Sequence, residues 1–512
     1  MADLTFEGGL NEQDVTLVKD QECIDGYNFE LGVKDTHFRP RKPFDKKGTV
    51  TNAGSINGFV QLVTNADVET TLVQSSDTVY LWDGASTFTS KGTVATNSKL
   101  RGVTWTLGGY SVITDLEKAT VVKKWDGTSL TTLTTGLGAT LFAKYGVVHL
   151  GRMWLFNVTS GTATPHLLVT SAFENPESYN TTLRAKDSSF STGLEAFYMV
   201  SPDLRPINGV ALFYGSLIIS TEGGSLWRLS GTSSTTFQWD PFYPGSFATG
   251  TETMVLVGDD VLYMKKGGNI ESVRSTETYG DVKTDDVTRW IRPTVSGLTD
   301  CRTVYDQERQ KVYFFAGSNK LLVLFKDMLP TGLSPWSVYK TGHTSSFSTN
   351  AAIYMRAPGT ANYFVFFGDS VGNVYRMEGT GAGDNADTNI EAYRKTKFFD
   401  EIEGFNPMLQ QLRGRIWYRR IADIDVVMDF EWGEDYAINT CTVPLDGPPV
   451  GDTGGYWGGT GYFGGSFYWN SGFFYADRVS TKGFSPVGRG VGFHLELSIT
   501  SSQLFDIMKI EV

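Results

Sequence analysis

The sequence predicts an all-β fold: a β-propeller of about seven blades, plus a β platform or sandwich-like domain built from the N- and C-terminal segments. Three observations predict it. A hairpin-like unit, made of a short apolar strand, a polar break and a second strand, recurs seven times between residues 71 and 377. Its first strands start at residues 71, 111, 152, 216, 261, 311 and 363, so the intervals are 40, 41, 64, 45, 50 and 52 residues. That period is the length of a propeller blade. The composition, with 57 Gly, 33 Phe, 23 Tyr and 12 Trp, supplies turns and strand-preferring aromatics. Beyond residue 378 the repeat stops and a different β pattern begins.

The elements follow in order. Residues 1–60 form an N-terminal platform segment, polar, with strand candidates such as Gly58–Val63. Residues 61–378 carry the propeller. The first strands are Thr71–Gln74, Ser111–Thr114, Arg152–Asn157, Ser216–Thr221, Val261–Lys266, Lys311–Ala316 and Tyr363–Gly368. Their partners are Thr78–Trp82, Thr120–Trp125, His166–Thr170, Ser225–Leu229, Asn269–Val273, Lys320–Phe325 and Asn373–Met377. Hairpin breaks stand at Ser75-Ser76-Asp77, Glu222-Gly223-Gly224, Gly267-Gly268 and Asp369–Gly372. Trp82-Asp83-Gly84 and Trp125-Asp126-Gly127 mark the register 43 residues apart. Val103–Trp105 and Val147–Leu150 read as preceding strands. A blade needs four strands, and the remainder are inferred from the interval. Ser171 to Asn208 reads as an excursion between blades. Helix signals are few, the best being Asp285–Trp290 and Pro407–Leu412. Residues 379–512 form the C-terminal β platform domain. Its strand candidates are Glu391–Phe398, Arg415–Arg420, Asp423–Glu431, Phe493–Ile499 and Phe505–Val512. Inside it lies the Gly/aromatic tract Gly454–Tyr475, which suits either an interface or a loop packed on its own domain.

A net charge of −12 argues against general affinity for nucleic acid. It is compatible with a smooth channel through which DNA slides. Lys34–Lys47 and Arg413–Arg420 are locally basic and read as solvated strand faces or as contacts to an acidic partner or phosphates. Cys23, Cys301 and Cys441 are far apart, which fits a reducing compartment rather than a disulfide framework. The first residues lack the basic and apolar regions of a signal peptide, and no apolar run is long enough to span a membrane. The sequons at Asn157 and Asn180 are read as chance.

Chemistry is sparse. Gly368-Asp369-Ser370-Val371-Gly372 matches the nucleophile-elbow pattern, but a strand rather than a helix is expected after it. His37, His149, His166, His343 and His494 show no metal-ligand spacing. Gly383–Asp387 falls short of a calcium loop, and Gly379–Gly383 follows no βαβ pattern. A propeller glycosidase places its carboxylates on inner strands; Asp115, Asp260 and Asp369 flank repeat strands, which 56 acidic residues make expected by chance. No catalytic, cofactor-binding or metal-binding residue is assigned, and no cofactor is expected.

Short segments at the two ends and in the third interval carry a resemblance. Phe6-Glu7-Gly8-Gly9-Leu10-Asn11, Glu22–Glu30 and Phe38-Arg39-Pro40-Arg41 resemble the opening of tail nozzle (tail hub) proteins of short-tailed bacteriophages. Ser171–Tyr179 is similar to an S-D-x-x-N-P-E-x-W turn of that family, with Ala172 at the Asp place and Tyr179 at the Trp place. Gly488–His494 through Phe505–Ile507 resembles its closing strands. The resemblance implies a structural, non-enzymatic virion protein assembled in the host bacterial cytoplasm. It implies a hexameric ring that contacts a tail adaptor or head-to-tail connector, anchors fibres or spikes, and passes and retains DNA without sequence specificity or membrane insertion. The alternative is a carbohydrate-binding or glycan-cleaving propeller; a third reading is a peptide-binding scaffold.

Overall fold

The computed structural model describes residues 3–32, 37–52, 54–134, 141–179, 185–186, 193–250, 252–273, 285–316, 321–340, 349–379, 384, 389–397, 414–419, 424–432, 438–445, 479–484, 493–501 and 506–511. The chain divides into two compact units. One holds residues 45–321 and 345–377; the other holds residues 1–44, 322–344 and 378–512.

The first unit is the propeller. Seven inner strands form a closed ring: Ile56–Val63, Leu100–Trp105, Leu141–His149, Ile207–Phe213, Met254–Val257, Arg302–Asp306 and Ala351–Arg356. Each begins an up-and-down antiparallel blade. Glu69–Ser75, Thr78–Trp82 and Phe88–Thr93 complete the first blade. Tyr110–Asp115, Lys123–Trp125 and Leu130–Thr132 complete the second. Arg152–Ser160, Thr162–Thr170 and Phe197–Val200 complete the third; Ser216–Thr221, Leu226–Ser230 and Gln238–Tyr243 the fourth; Asp260–Met264, Ile270–Ser272 and Asp285–Asp286 the fifth. In the sixth, Arg302–Asp306 pairs with Lys311–Phe315.

In the other six blades the expected first strands and partners are therefore the second and third strands, and in the sixth Lys311–Phe315 is the second. These are the most apolar pairs because neighbours cover both of their faces. The second strands Tyr110–Asp115, Ser216–Thr221, Asp260–Met264 and Lys311–Phe315 are buried at every position. A strand covered on both sides reads as a continuous apolar run rather than an alternating one.

The seventh blade closes the ring with a strand from the other end of the propeller's chain segment. Asn373–Arg376 pairs antiparallel with Asp45–Thr49, and Arg376 bonds Asp45 at 2.6 Å. The sequence DKKGT is too polar to read as a strand. It is held as an outer edge by ladder bonds and charge rather than by burial. Closure of this kind covers the edge of Asn373–Arg376 and leaves only a short, charged outer strand.

Two local expectations change. The excursion after Thr170 lies inside the third blade, between its third strand and Phe197–Val200, rather than between blades. The short helix falls at Arg292–Val295 with Pro at its start, not over Asp285–Trp290, where Asp285–Asp286 is a strand. Proline is tolerated only in the first helical turn, so it sets the helix start here. Pro407–Leu412 lies outside the described residues. The Trp-Asp-Gly marks sit at the third-to-fourth strand turns. Asp83 accepts from Ala85 and Thr87 N–H groups, and Asp126 from Thr128 and Ser129. Both glycines are left-handed, at φ 86° and 94°.

Among its described residues the second unit includes two sheets and a hairpin. Asp25–Tyr27, Ile390–Lys395, Phe493–Ser501, Ile424–Trp432 and Ile438–Leu445 form five strands in that order. Asp3–Leu4, Asp506–Glu511, Gly414–Arg419 and Val479–Phe484 form four, and Phe29–Glu30 pairs with Arg39–Pro40. Alternate side chains are buried, as at Val426, Met428 and Phe430 and at Leu495, Leu497 and Ile499. Phe430 of one sheet meets Phe484 of the other, ring centroids 5.9 Å apart. The platform is thus built from both ends of the chain, with residues 322–344 added.

Candidate functional site

The residues weighed for chemistry are engaged in structure. Gly368–Gly372 is the turn between the second and third strands of the last blade. Asp369 accepts from Val371 and Asn373 N–H groups at 3.0 and 2.8 Å. Asp115 is buried and accepts four backbone N–H groups, from Lys99, Glu117, Ala119 and Thr120. Asp260 accepts from Ser272 at 2.6 Å. Asp115 and Asp369 stand at the ends of second strands and Asp260 at the start of one, so the three do not converge. Of Gly383–Asp387 only Asp384 is described, and its carboxylate is taken by Arg41 and by the Phe44 N–H. His149 is buried against Trp154, and burial holds its imidazole below the ordinary 6.5. His37 lies 2.7 Å from Asp506. Among the described residues no group of three His, Cys, Asp or Glu side chains could hold a metal ion, and no helix is long and apolar enough to cross a membrane.

The propeller axis is crossed by charge. Arg101, in the second blade, binds Glu252 at the entry to the fifth through Nε (2.5 Å) and Nη2 (2.6 Å). Its remaining N–H groups reach the carbonyls of Leu100, Asn57 and Asn350. Arg302, opening the sixth blade, bonds Glu252 and donates to Ala352 O at 2.7 Å. One guanidinium therefore ties the first, second, fifth and seventh blades. Side-chain exposures are 13 % for Arg101, 14 % for Arg302 and 18 % for Glu252. Desolvation lowers both arginines, Arg101 to about 9, while the Asp115 and Glu117 charges pull Arg101 back up and the Arg101 charge lowers Arg302 further. We take both as charged, because Glu252 binds each directly and guanidinium scarcely deprotonates in proteins. Beside the cluster lies a cavity of about 210 Å³, also lined by Thr114, Lys144, Tyr145, Met254 and Thr303. The sequence carried no sign of this cluster, since its three charges are 151 and 50 residues apart.

The two faces of the ring differ. At the end where first strands turn into second strands, six of the seven blades expose a large apolar side chain: Val68, Leu107, Leu150, Tyr214, Leu256 and Tyr363. The opposite turns carry Asp77, Glu117, Lys118, Glu222, Lys265, Lys266 and Asp369, and one of them also exposes Val371.

In the other unit, the three N-terminal segments and the closing strand meet. Phe6 packs on Phe38 at 5.6 Å and Phe38 on Phe29 at 6.5 Å, with the buried Arg394 guanidinium over Phe6 and Phe29. Asn11 donates to Glu22 at 2.7 Å, and Arg41 donates to Asn28 at 2.9 Å. Phe38 exchanges backbone bonds with Ile507, and Arg39 lies 3.1 Å from Asp506. Gly9 is required by close approach: a Cβ there would lie 2.1 Å from Trp336 O. In the third blade, Ala172 and Asn175 bridge the Ser171–Tyr179 turn, and Tyr179 fills a core with Trp105 and Tyr110. Gly454–Tyr475, Gly488–Gly492, Lys34–Thr36, Arg413 and Arg420 lie outside the described residues.

The ring of strands defines a β-propeller protein. No protein-family model matches the chain, and no curated protein sequence matches it. Among solved structures it is similar to a streptogramin B lyase (10 % identity, TM-score 0.42, covering 66 % of this chain and 97 % of that one). It is also similar to Sqt1 of Saccharomyces cerevisiae (7 %, 0.41, 66 % and 99 %) and to the Pan2 WD40 domain of Neurospora crassa (9 %, 0.37, 66 % and 95 %). Likenesses this distant carry no functional argument.

Proposed function

We propose that this chain is a structural subunit of a short-tailed phage tail, a nozzle or hub protein. In this reading it assembles with copies of itself into a ring that conducts and retains DNA and anchors fibres or spikes. One observation carries the reading. The separate segments that resemble the nozzle family, at Phe6–Asn11, Glu22–Glu30, Phe38–Arg41 and Ile507, form one buried cluster and bond to one another.

Two further features support it. The Arg101–Glu252–Arg302 cluster crosses the propeller axis, so in this reading the DNA path runs between subunits rather than through the blades. The apolar rim at Leu107 and Tyr214 suits burial against another protein, since exposed apolar patches mark interaction sites. Native mass spectrometry and negative-stain imaging of the purified chain, alone and with a candidate tail adaptor, test the proposal. A closed ring, or one induced by the adaptor, is expected. A lone monomer at high concentration with no adaptor affinity overturns it, and carbohydrate binding by that monomer would favour the glycan-binding alternative.

A further inference from the structure

We propose that the axial cavity of the propeller is a binding site for a small oxyanion, held by Lys144 and Thr114 in the positive field of Arg101 and Arg302. The charge inventory around the cavity comes first. Arg101, Arg302 and Lys144 line it. Lys118 stands near Lys144, whose charge, after burial, helps to lower the Lys118 ammonium. Against these four cations stand Glu252, bound to both arginines, and Asp115, whose oxygens are spent on backbone N–H groups. Glu117 is paired with Lys99. The wall itself carries three cations (Arg101, Arg302 and Lys144) and one carboxylate (Glu252), while Asp300 and Glu222, whose charges act on the lining Tyr145, are not part of it.

Second, two polar groups on the wall lack a protein partner. Thr114 is 1 % exposed, and its hydroxyl has no hydrogen-bond partner. Among the described residues Lys144 has no carboxylate or hydrogen-bond partner, whereas Lys118 is held by Asn157 and Thr159 at 2.9 and 3.2 Å. A buried hydroxyl is costly to leave unsatisfied, and the Lys144 ammonium has donors to spare. One anion with several acceptor oxygens satisfies both. Arg101 is saturated by its own contacts, so it contributes field rather than a hydrogen bond. The cavity, about 210 Å³, suits an ion or one charged sugar-sized group rather than a larger cofactor. The shared chemistry is an oxyanion; a free phosphate and a sugar-borne carboxylate are its two sources.

Titration calorimetry of the full chain at low ionic strength tests this with inorganic phosphate and, separately, glucuronate. One site per chain is expected, with a Kd on the order of 1 mM or tighter. Lys144→Met should weaken binding about tenfold and Thr114→Val several-fold, while Lys91→Met, at an outer strand of the first blade, leaves it unchanged. The preferred probe identifies the source. As a second readout, the preferred anion should raise the melting temperature of the parent chain and not that of Lys144→Met. Absence of binding by both probes, or binding indifferent to Lys144→Met, overturns the proposal. Neither result bears on ring assembly, which is read by mass rather than by ligand.

Discussion

Arg101 and Glu252 form a two-pronged ion pair, at 2.5 and 2.6 Å, between the second and fifth blades. No two blades of a seven-membered ring can be further apart. The pair joins strands whose hydrogen-bond ladders never meet, so it locks the ring against shear between blades. Removing one partner leaves buried charge uncompensated. Glu252→Gln is expected to destabilise the chain by about 3–5 kcal/mol in urea unfolding. The double change Arg101→Met with Glu252→Leu should cost less than that, because it removes both desolvation penalties, although Arg302 keeps one.

The glycine at position 9 makes a prediction for the platform unit. A Cβ there meets Trp336 O at 2.1 Å, and backbone on either side cannot move cheaply. Gly9→Val should therefore cost several kcal/mol, in the range of severe overpacking, about 3 kcal/mol or more. Hydrogen exchange should show lost protection at Leu10 and Asn28, whose N–H groups bond Trp336 and Val338 carbonyls. Unchanged protection would contradict the close approach.

Thiol reactivity should be selective. Burial pushes Cys23 up to about 11 and Cys301 up to about 12, so neither forms thiolate at neutral pH. Cys441 is partly accessible. Ellman's reagent at pH 8 should titrate one thiol in the native chain and three after denaturation. Rapid reaction of two or three native thiols would count against this packing.

His149 gives a pH dependence of definite sign. Burial lowers its folded pKa below the ordinary 6.5, so the unfolded chain binds the proton more readily. The contribution to stability is fully present above about pH 6.5 and is lost as pH falls through the folded value. Urea midpoints should decline between pH 7 and 5.5, and His149→Gln should flatten that decline. A midpoint insensitive to pH across this window would show that His149 is solvated.

The apolar rim offers a test of assembly apart from folding. Leu107 and Tyr214 are 64 % and 67 % exposed, and exposed substitutions usually shift stability by no more than about 0.5 kcal/mol. Leu107→Asp with Tyr214→Asp should leave the melting temperature near that of the parent chain while reducing the ring population in native mass spectra. If the ring persists, the rim is not part of its interface.

The blade repeat was legible because seven second strands, such as Lys311–Phe315 and Ser216–Thr221, are covered on both sides and so read as unbroken apolar or small-residue runs. The outer strands were not. Asp45–Thr49 is polar and is placed by its ladder rather than by burial, and Phe197–Val200 spans only 4 residues, although Phe197 and Met199 are buried. In the C-terminal segment, Ile390–Lys395, Gly414–Arg419, Ile424–Trp432, Phe493–Ser501 and Asp506–Glu511 were all anticipated, while Ile438–Leu445 and Val479–Phe484 were missed. Val479–Phe484 reads VSTKGF, with too few apolar positions to alternate.

By itself the amino-acid order determined the class of fold, because strand burial and turn chemistry are local and repeat every 40 to 64 residues. It also marked the turns at Asp83, Asp126 and Asp369, where a carboxylate bonds the backbone a few residues on. Only the tertiary structure decided which distant residues share a neighbourhood. Ring closure joined residue 45 to residue 376, the axis joined Arg101 to Glu252 and Arg302, and the platform joined Phe38 to Ile507. Charges, hydroxyls and aromatic rings act through space over a few ångströms, and sequence separations of 50 to several hundred residues hide those distances.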